Sequence, residues 1–214
     1  FNVVPALARP ENARLLSSSV TRLLSAEIDE TNITLGRNGK RGPFAGFGLS
    51  SLDYLLGRRR STYNFESLKG ALSVRHYLRR IIGKTAILFA ASFHVGASES
   101  GGDELQVRLL RRIGYNIGVG FQVIDDILDI AGDASRTGKP VGTDLQQGVI
   151  TLPVILALQG STNGERKELE RLVRRSVSGF FPVRPSTIGR AVRAVETSGA
   201  LTGARAIASR YTER

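Results

Sequence analysis

Apolar residues recur along most of this chain at spacings of three and four, the period of helices that turn one face to a core. Leu15, Leu16, Val20, Leu23, Leu24 and Ile28 predict a first helix. Positions 78, 81, 82, 85, 88, 89 and 93 form a broad stripe that predicts a second helix over Leu78–Phe93, and residues 86–91 are apolar nearly all round. Such a helix should be buried on most sides. A longer helix is expected from Glu104 to Ile130, with Asp103-Glu104 at its positive dipole end and Gly132 closing it. Its apolar row is Ile113, Ile117, Phe121, Ile124 and Leu128. Leu152–Leu158 opens another apolar helix, where Pro153 fits the first turn or makes a kink. Glu165–Val177 and Ile188–Ala208 predict two more amphipathic helices. Between these elements lie a Gly-rich loop, Gly36–Gly48, a short apolar turn at Leu52–Leu56, and the turn-rich Phe180–Ser186. No period-2 strand, repeat or interdomain linker is visible. The expectation is an all-α chain forming one domain over residues 1–214.

Composition narrows the function classes. The chain has 214 residues, 41% of them hydrophobic and 23% charged, enough apolar material for a sizeable core. It has no Cys, which excludes disulfides and thiolate chemistry from the sequence as it stands. The apolar runs Ala86–Ser92 and Leu152–Leu158 are shorter than a membrane span, so no integral membrane segment is expected. Phe1 is not followed by a basic segment and a small-residue cleavage site, so no secretory leader is expected either. The net charge of +11 favours anionic partners such as nucleic acid, anionic lipid or phosphorylated small molecules. Aromatic residues do not alternate with the basic ones as on a single-strand binding platform, so nucleic-acid binding rests on charge alone. The joint absence of Met and Cys is unusual at this length. It raises the expectation that segments between about residues 36 and 72 are missing from the sequence.

The chemistry concentrates in Gly120-Phe121-Gln122-Val123-Ile124-Asp125-Asp126-Ile127-Leu128-Asp129. Asp is a weak helix former, yet three sit in an otherwise apolar helix. Asp125 and Asp129 are i,i+4 and Asp126 and Asp129 are i,i+3, so the three should project near one another. Partly buried carboxylates this close repel and call for a cation. Hard oxygen donors suit Mg²⁺, which is commonly shared with substrate phosphates. An ordinary acidic helix face explains the same residues. The loop Thr137–Asp144 then delivers Lys139 just after this helix, as a magnesium–diphosphate site would require. Lys84, followed by Thr85, lies in an apolar helix; it either snorkels to solvent or meets an anion. Lys40 and Arg41 sit in the Gly-rich loop, as solvated charges or a second anion contact. His76 and His94 are isolated and read as structural, and Arg79-Arg80 as surface charges. The spacing Gly114-x-x-x-Gly118-x-Gly120 lies inside a helix, so it reads as close helix packing and not as a phosphate loop.

The run GVGFQVIDDILDIAGDASRTGKPVGTDLQQGVITLPVILAL resembles the second aspartate-rich region of trans-isoprenyl diphosphate synthases. Tyr77-Leu78-x-x-Ile81 with Lys84-Thr85-Ala86 is similar to that family's K-T helix, Gly39-Lys40-Arg41 and Pro43 to its G-K-R-x-R-P loop, and Asp53–Leu56 to its G-D-Y-L-L segment. The resemblance is strong over residues 77–158. It implies an isoprenoid-synthase-like helical bundle around a central cavity, and Mg²⁺-dependent condensation of isopentenyl diphosphate with an allylic prenyl diphosphate to a medium or long polyprenyl diphosphate. It implies that Asp125, Asp126 and Asp129 hold the metal. Lys84 and Lys139 would contact the allylic diphosphate, Gln122 and Thr85 would stabilise the carbocation or assist proton loss, and Lys40 and Arg41 would bind isopentenyl diphosphate. It further implies a homodimer, or a heteromer with a small subunit, in the cytoplasm or peripheral to a membrane. The chain departs from the pattern in three places. The first aspartate-rich motif is absent, the Lys40 loop lacks its second arginine, and Val149 stands where many relatives carry lysine. Variation at that last position resembles large subunits of heptaprenyl- or hexaprenyl-type synthases. A non-catalytic regulatory subunit is the rival reading.

Overall fold

Ser73 accepts a hydrogen bond from the His76 backbone N–H and so caps the helix that carries much of the fold. The computed structural model describes residues 9–34, 72–132, 140–177 and 184–213. In chain order these form α1 (Pro10–Thr34), α2 (Val74–Ile81), a π-helical turn (Ile82–Ala86), α3 (Ile87–Glu99), α4 (Glu104–Ala131), α5 (Thr143–Gln146), α6 (Leu152–Gly160), α7 (Asn163–Val177), α8 (Pro185–Thr197) and α9 (Ala200–Thr212). There is no strand among the described residues. The fold is all-α, as the periodicity predicts. The Gly-rich loop and the apolar turn at Leu52–Leu56 lie outside the described residues, as do Lys40, Arg41 and Lys139.

The expected caps of α4 are present. Asp103 accepts from the Gln106 backbone N–H, and Gln106 accepts from the Asp103 backbone in return, a complete capping box. At the other end Gly132 N–H donates to the Leu128 carbonyl. Pro153 sits in the first turn of α6, where its missing N–H costs nothing, so no kink forms. α6 is buried almost all round, with Leu152, Val154, Ile155, Ala157 and Leu158 each under 4% exposed. Around it α4, α7, α8 and α9 contribute Val119, Val123, Ile130, Leu169, Val173, Ala191, Val195 and Ala204 to one continuous core.

Four expectations change. Ile188–Ala208 is not one helix. It breaks at Ser198-Gly199, where Gly199 takes φ +77° and lets α9 turn back across the core. The first helix is longer than its apolar pattern and runs 25 residues. The row Ile113, Ile117, Phe121, Ile124 and Leu128 is the exposed face of α4, each between 39% and 57% exposed. The core takes Val107, Gly114, Gly118, Val119, Val123, Ile127 and Ile130 instead, because α4 is apolar on two faces and packing selects between them. Finally, α2, the π turn and α3 run on as one continuous helix, Val74–Glu99, long and apolar enough by length and composition to cross a membrane. Neither shorter apolar run reaches that length alone. This helix packs along both α1 and α4, and Tyr77, Ile81 and Ala86 belong to the core.

Candidate active site

The π turn brings the two halves of the site together. Its wider i→i+5 bonding is visible where Ile87 N–H reaches the Ile82 carbonyl. This slip aligns Thr85 with Tyr77, so that both face one stretch of α4. Thr85 Oγ1 donates to Gln122 Oε1 at 2.9 Å, and Gln122 Nε2 donates to Asp126 Oδ1 at 3.0 Å. From the other side the Tyr77 hydroxyl donates to Asp126 Oδ2 at 2.6 Å. Four side chains from two helices thus form one unbroken hydrogen-bonded row.

The carboxylates of α4 are not equivalent. Asp125 is exposed, Asp129 is half-buried, and Asp126 is only 3% exposed. Asp129 reaches the next loop, accepting from the Asp144 backbone N–H at 3.3 Å and thereby capping the short helix α5. Its own carbonyl accepts from Gly142 N–H at 2.7 Å. The structure therefore spreads the three carboxylates over three environments. Among the described residues no three His, Cys, Asp or Glu side chains are grouped to hold a metal by themselves.

Burial raises the Asp126 carboxyl to about 7, against the lowering effect of the Tyr77 and Gln122 hydrogen bonds, with the Asp144 charge raising it further. Asp129 is raised to about 6 by burial, then by the charges of Asp144 and Asp125. Tyr77 is pushed far up by burial and by Asp126, so its hydroxyl keeps its proton. Folded carboxyls raised this way hold protons that the unfolded chain releases near pH 4. Their stabilising contribution is complete below that pH and is lost as pH climbs through 6 and 7. In chelator, the urea midpoint is expected to fall between pH 5 and pH 8. The loss should be about 1 kcal/mol or more, since a tenfold change in proton affinity is worth about 1.4 kcal/mol. A flat profile would show that neither carboxyl is perturbed.

Lys84 is 35% exposed and sits 3.0 Å from Glu27 of α1. Of its two sequence-level readings, burial against an anion and escape to solvent, it shows an intermediate: a half-exposed ammonium with a carboxylate partner. Arg80 is not a plain surface charge. Its guanidinium donates to the Ile150 carbonyl at 2.9 Å and lies 5.6 Å from the Tyr77 ring centre. Nothing in the sequence singled out Tyr77, Glu27 or Asp144 as partners of the site. Only the alignment of Tyr77 with the K-T turn hinted at the first, and the π slip that creates it has no sequence signature.

The residues fit magnesium as a shared ion. Asp125, Asp129 and Asp144 supply hard oxygens that repel one another, and Mg²⁺ needs only one or two carboxylates when phosphates and water complete its shell.

A family model described as polyprenyl synthetase matches residues 59–179. Heptaprenyl diphosphate synthase component 2 of Bacillus subtilis (strain 168) is 48% identical over 97 residues, which cover 45% of this chain and 26% of that protein. The crystal structure of heptaprenyl diphosphate synthase from Staphylococcus aureus is similar with a TM-score of 0.67 and 26% identity, over 96% of this chain and 52% of that one. A polyprenyl synthase from Caulobacter crescentus CB15, solved with calcium and isoprenyl diphosphate, is similar with a TM-score of 0.59 and 25% identity, over 94% of this chain and 70% of that one. The chain thus matches about a quarter of the Bacillus protein's length and about half of the Staphylococcus chain. With the motifs, the helical architecture and a family match over more than half of its residues, this chain belongs to the polyprenyl synthetase family.

Proposed function

We propose that the chain carries the allylic half of a trans-prenyltransferase that condenses isopentenyl diphosphate with an allylic prenyl diphosphate to a medium or long polyprenyl diphosphate. One observation carries this reading: Thr85, of the K-T turn, is hydrogen-bonded to Gln122, one turn before the aspartates of α4. Two motifs 37 positions apart are joined at one place. Calcium and isoprenyl diphosphate in the Caulobacter relative support a divalent cation and a prenyl diphosphate as its ligands.

In the reaction, the allylic carbon–oxygen bond breaks and the diphosphate leaves with the electron pair. The double bond of isopentenyl diphosphate attacks the allylic cation, and a proton is then lost. Bound to Asp125 and Asp129, magnesium would supply charge neutralisation on the leaving diphosphate. Lys84 and Lys139 serve the same anion, with Lys84 exchanging Glu27 for it. The side-chain dipoles of Gln122 and Thr85 face the cation, preorganised by their mutual bond. Lys40 and Arg41 hold isopentenyl diphosphate. Phe121, its ring tilted 33° against that of Phe89 with centres 5.7 Å apart, would offer apolar wall to the prenyl chain.

The exposed row on α4 bears on partners. Away from the aspartates, Leu105 and Leu109 join Ile113 and Ile117 in an apolar strip over the first half of this 28-residue helix. So long an apolar strip exceeds the scattered exposure normal on a monomer and marks an interaction surface. We infer that a second chain, either a copy or a small subunit, covers this first half and leaves the turns carrying Phe121 and Asp125 open to substrate. Ile113→Asp should shift the sedimentation coefficient toward that of the monomer at fixed concentration; an unchanged oligomer would remove this surface from consideration.

The absence of the first aspartate-rich motif favours a second reading, a non-catalytic subunit that keeps one diphosphate site, and the description "component 2" of the Bacillus relative accords with a multi-component enzyme. The test is diphosphate release by the purified chain with Mg²⁺, isopentenyl diphosphate and farnesyl diphosphate. Turnover supports the synthase and gives product length from the same reaction. Absence of turnover from a folded chain, with any allylic primer, supports the subunit.

A further inference from the structure

We infer that Tyr77 is a positioning residue whose hydroxyl withdraws Asp126 from the cation-binding set and makes it the anchor that orients Gln122 and Thr85. The inference rests on the reading of this site as an allylic diphosphate site and goes beyond it in assigning different work to adjacent aspartates.

Ionised, as it is from about pH 7 upward, Asp126 only accepts hydrogen bonds. Asp126 takes one on each oxygen, from the Tyr77 hydroxyl at 2.6 Å and from Gln122 Nε2 at 3.0 Å, and is 3% exposed. Its accepting capacity is turned inward, toward α2, while Asp125 faces solvent. Commitment of the Gln122 amide nitrogen to Asp126 leaves Gln122 Oε1 as the only end that can face Thr85. Thr85 must therefore donate to it, at 2.9 Å, and its hydroxyl oxygen keeps its lone pairs for whatever lies in the site. The direction of every bond in the row follows from the carboxylate. Tyr77 holds that carboxylate in place, and Arg80 steadies the tyrosine ring while tied to the Ile150 carbonyl. Replacing Asp126 with Asn removes the direction: an amide there can donate to Gln122, which then flips and presents its nitrogen to Thr85.

The experiment uses the full chain and its variants Tyr77→Phe, Asp126→Asn, Asp125→Asn and Thr85→Val. Binding of Mn²⁺ with inorganic pyrophosphate is read by electron paramagnetic resonance. Tyr77→Phe and Asp126→Asn should stay within about threefold of the parent, and Asp125→Asn should weaken by about tenfold, the size of one charge-assisted contact. Where the parent turns over, Tyr77→Phe should lower kcat about tenfold with KM for the allylic diphosphate within threefold, as expected for an effect confined to the transition state. A metal affinity that falls as far in Asp126→Asn as in Asp125→Asn would overturn the assignment. A double-mutant cycle in urea joins Tyr77→Phe and Thr85→Val, whose side chains share no direct bond. Their combined destabilisation should be smaller than the sum of the two. Additive effects would dissolve the row even if the parent neither binds pyrophosphate nor turns over, which would by itself count only against the proposed function.

Discussion

Gly118→Ala is expected to destabilise the chain by about 1–2 kcal/mol, although alanine is the better helix former by about 1 kcal/mol. A Cβ at Gly118 would stand 2.7 Å from Ala86 Cα and 3.1 Å from Phe89 Cβ. The first of these is backbone of the π turn, so no rotamer change relieves it and the two helices must part. Overpacking of that kind costs about 1–3 kcal/mol before the propensity gain is subtracted, and Gly118→Val should cost more. Gly114 is in the same position one turn earlier, 2.8 Å from the Phe89 carbonyl oxygen. The control is Gly96→Ala on α3, where nothing lies within 4 Å. It should stabilise by about 0.5–1 kcal/mol through the unfolded chain and helix propensity. Urea midpoints with unchanged slopes check both. Gly118→Ala as stable as the parent would mean that the helices are not in this contact. The substitution also reaches the site, because displacing Ala86 moves Thr85 away from Gln122.

That link shows which parts of the molecule could be read in advance. The three glycines of α4 are legible as a packing face because their spacing lies inside a helix with an N-cap and a closing glycine. Asp103, Gly132 and Pro153 act locally, and each does what its chemistry dictates within four residues of itself. The face of α4 that enters the core was not legible. Ile113–Leu128 and Val119–Ile130 both offer apolar rows, and only the positions of α6 and α9 decide between them. The same limit applies to the aspartates. Neighbouring helical residues point about 100° apart, so Asp125 and Asp126 must face different surroundings, but nothing local says which one meets Tyr77. The Tyr77–Asp126 and Thr85–Gln122 bonds span 49 and 37 positions and depend on a π turn that shifts the helix register. Fold class and motif chemistry are therefore written in short-range pattern, while the different surroundings of the carboxylates are tertiary.

Asp125→Asn is expected to cut magnesium-dependent diphosphate release by about 10²–10³-fold, the usual effect of losing one preorganised electrostatic contact to a developing charge. It should leave the urea midpoint unchanged or slightly raised. Asp125 is exposed, and no hydrogen bond or ion pair ties it to another side chain among the described residues. Its charge lies close enough to Asp129 to push that carboxyl upward. For folding alone it is a small liability, and an isosteric amide relieves the repulsion. A carboxylate that raises its neighbour without a bond to the scaffold among the described residues is what the proposed cation-binding role would leave. Asp126→Asn makes the opposite comparison, since there a buried acceptor with two partners is changed and the urea midpoint should move. If the parent chain shows no turnover, affinity for pyrophosphate in Mg²⁺ reads the same carboxylate directly. Full activity in Asp125→Asn, or full pyrophosphate affinity where the parent binds, would move the site away from this turn of α4. Loss of stability in parallel with loss of function would make Asp125 part of the scaffold, and the separation of roles along the aspartate motif would fall with it.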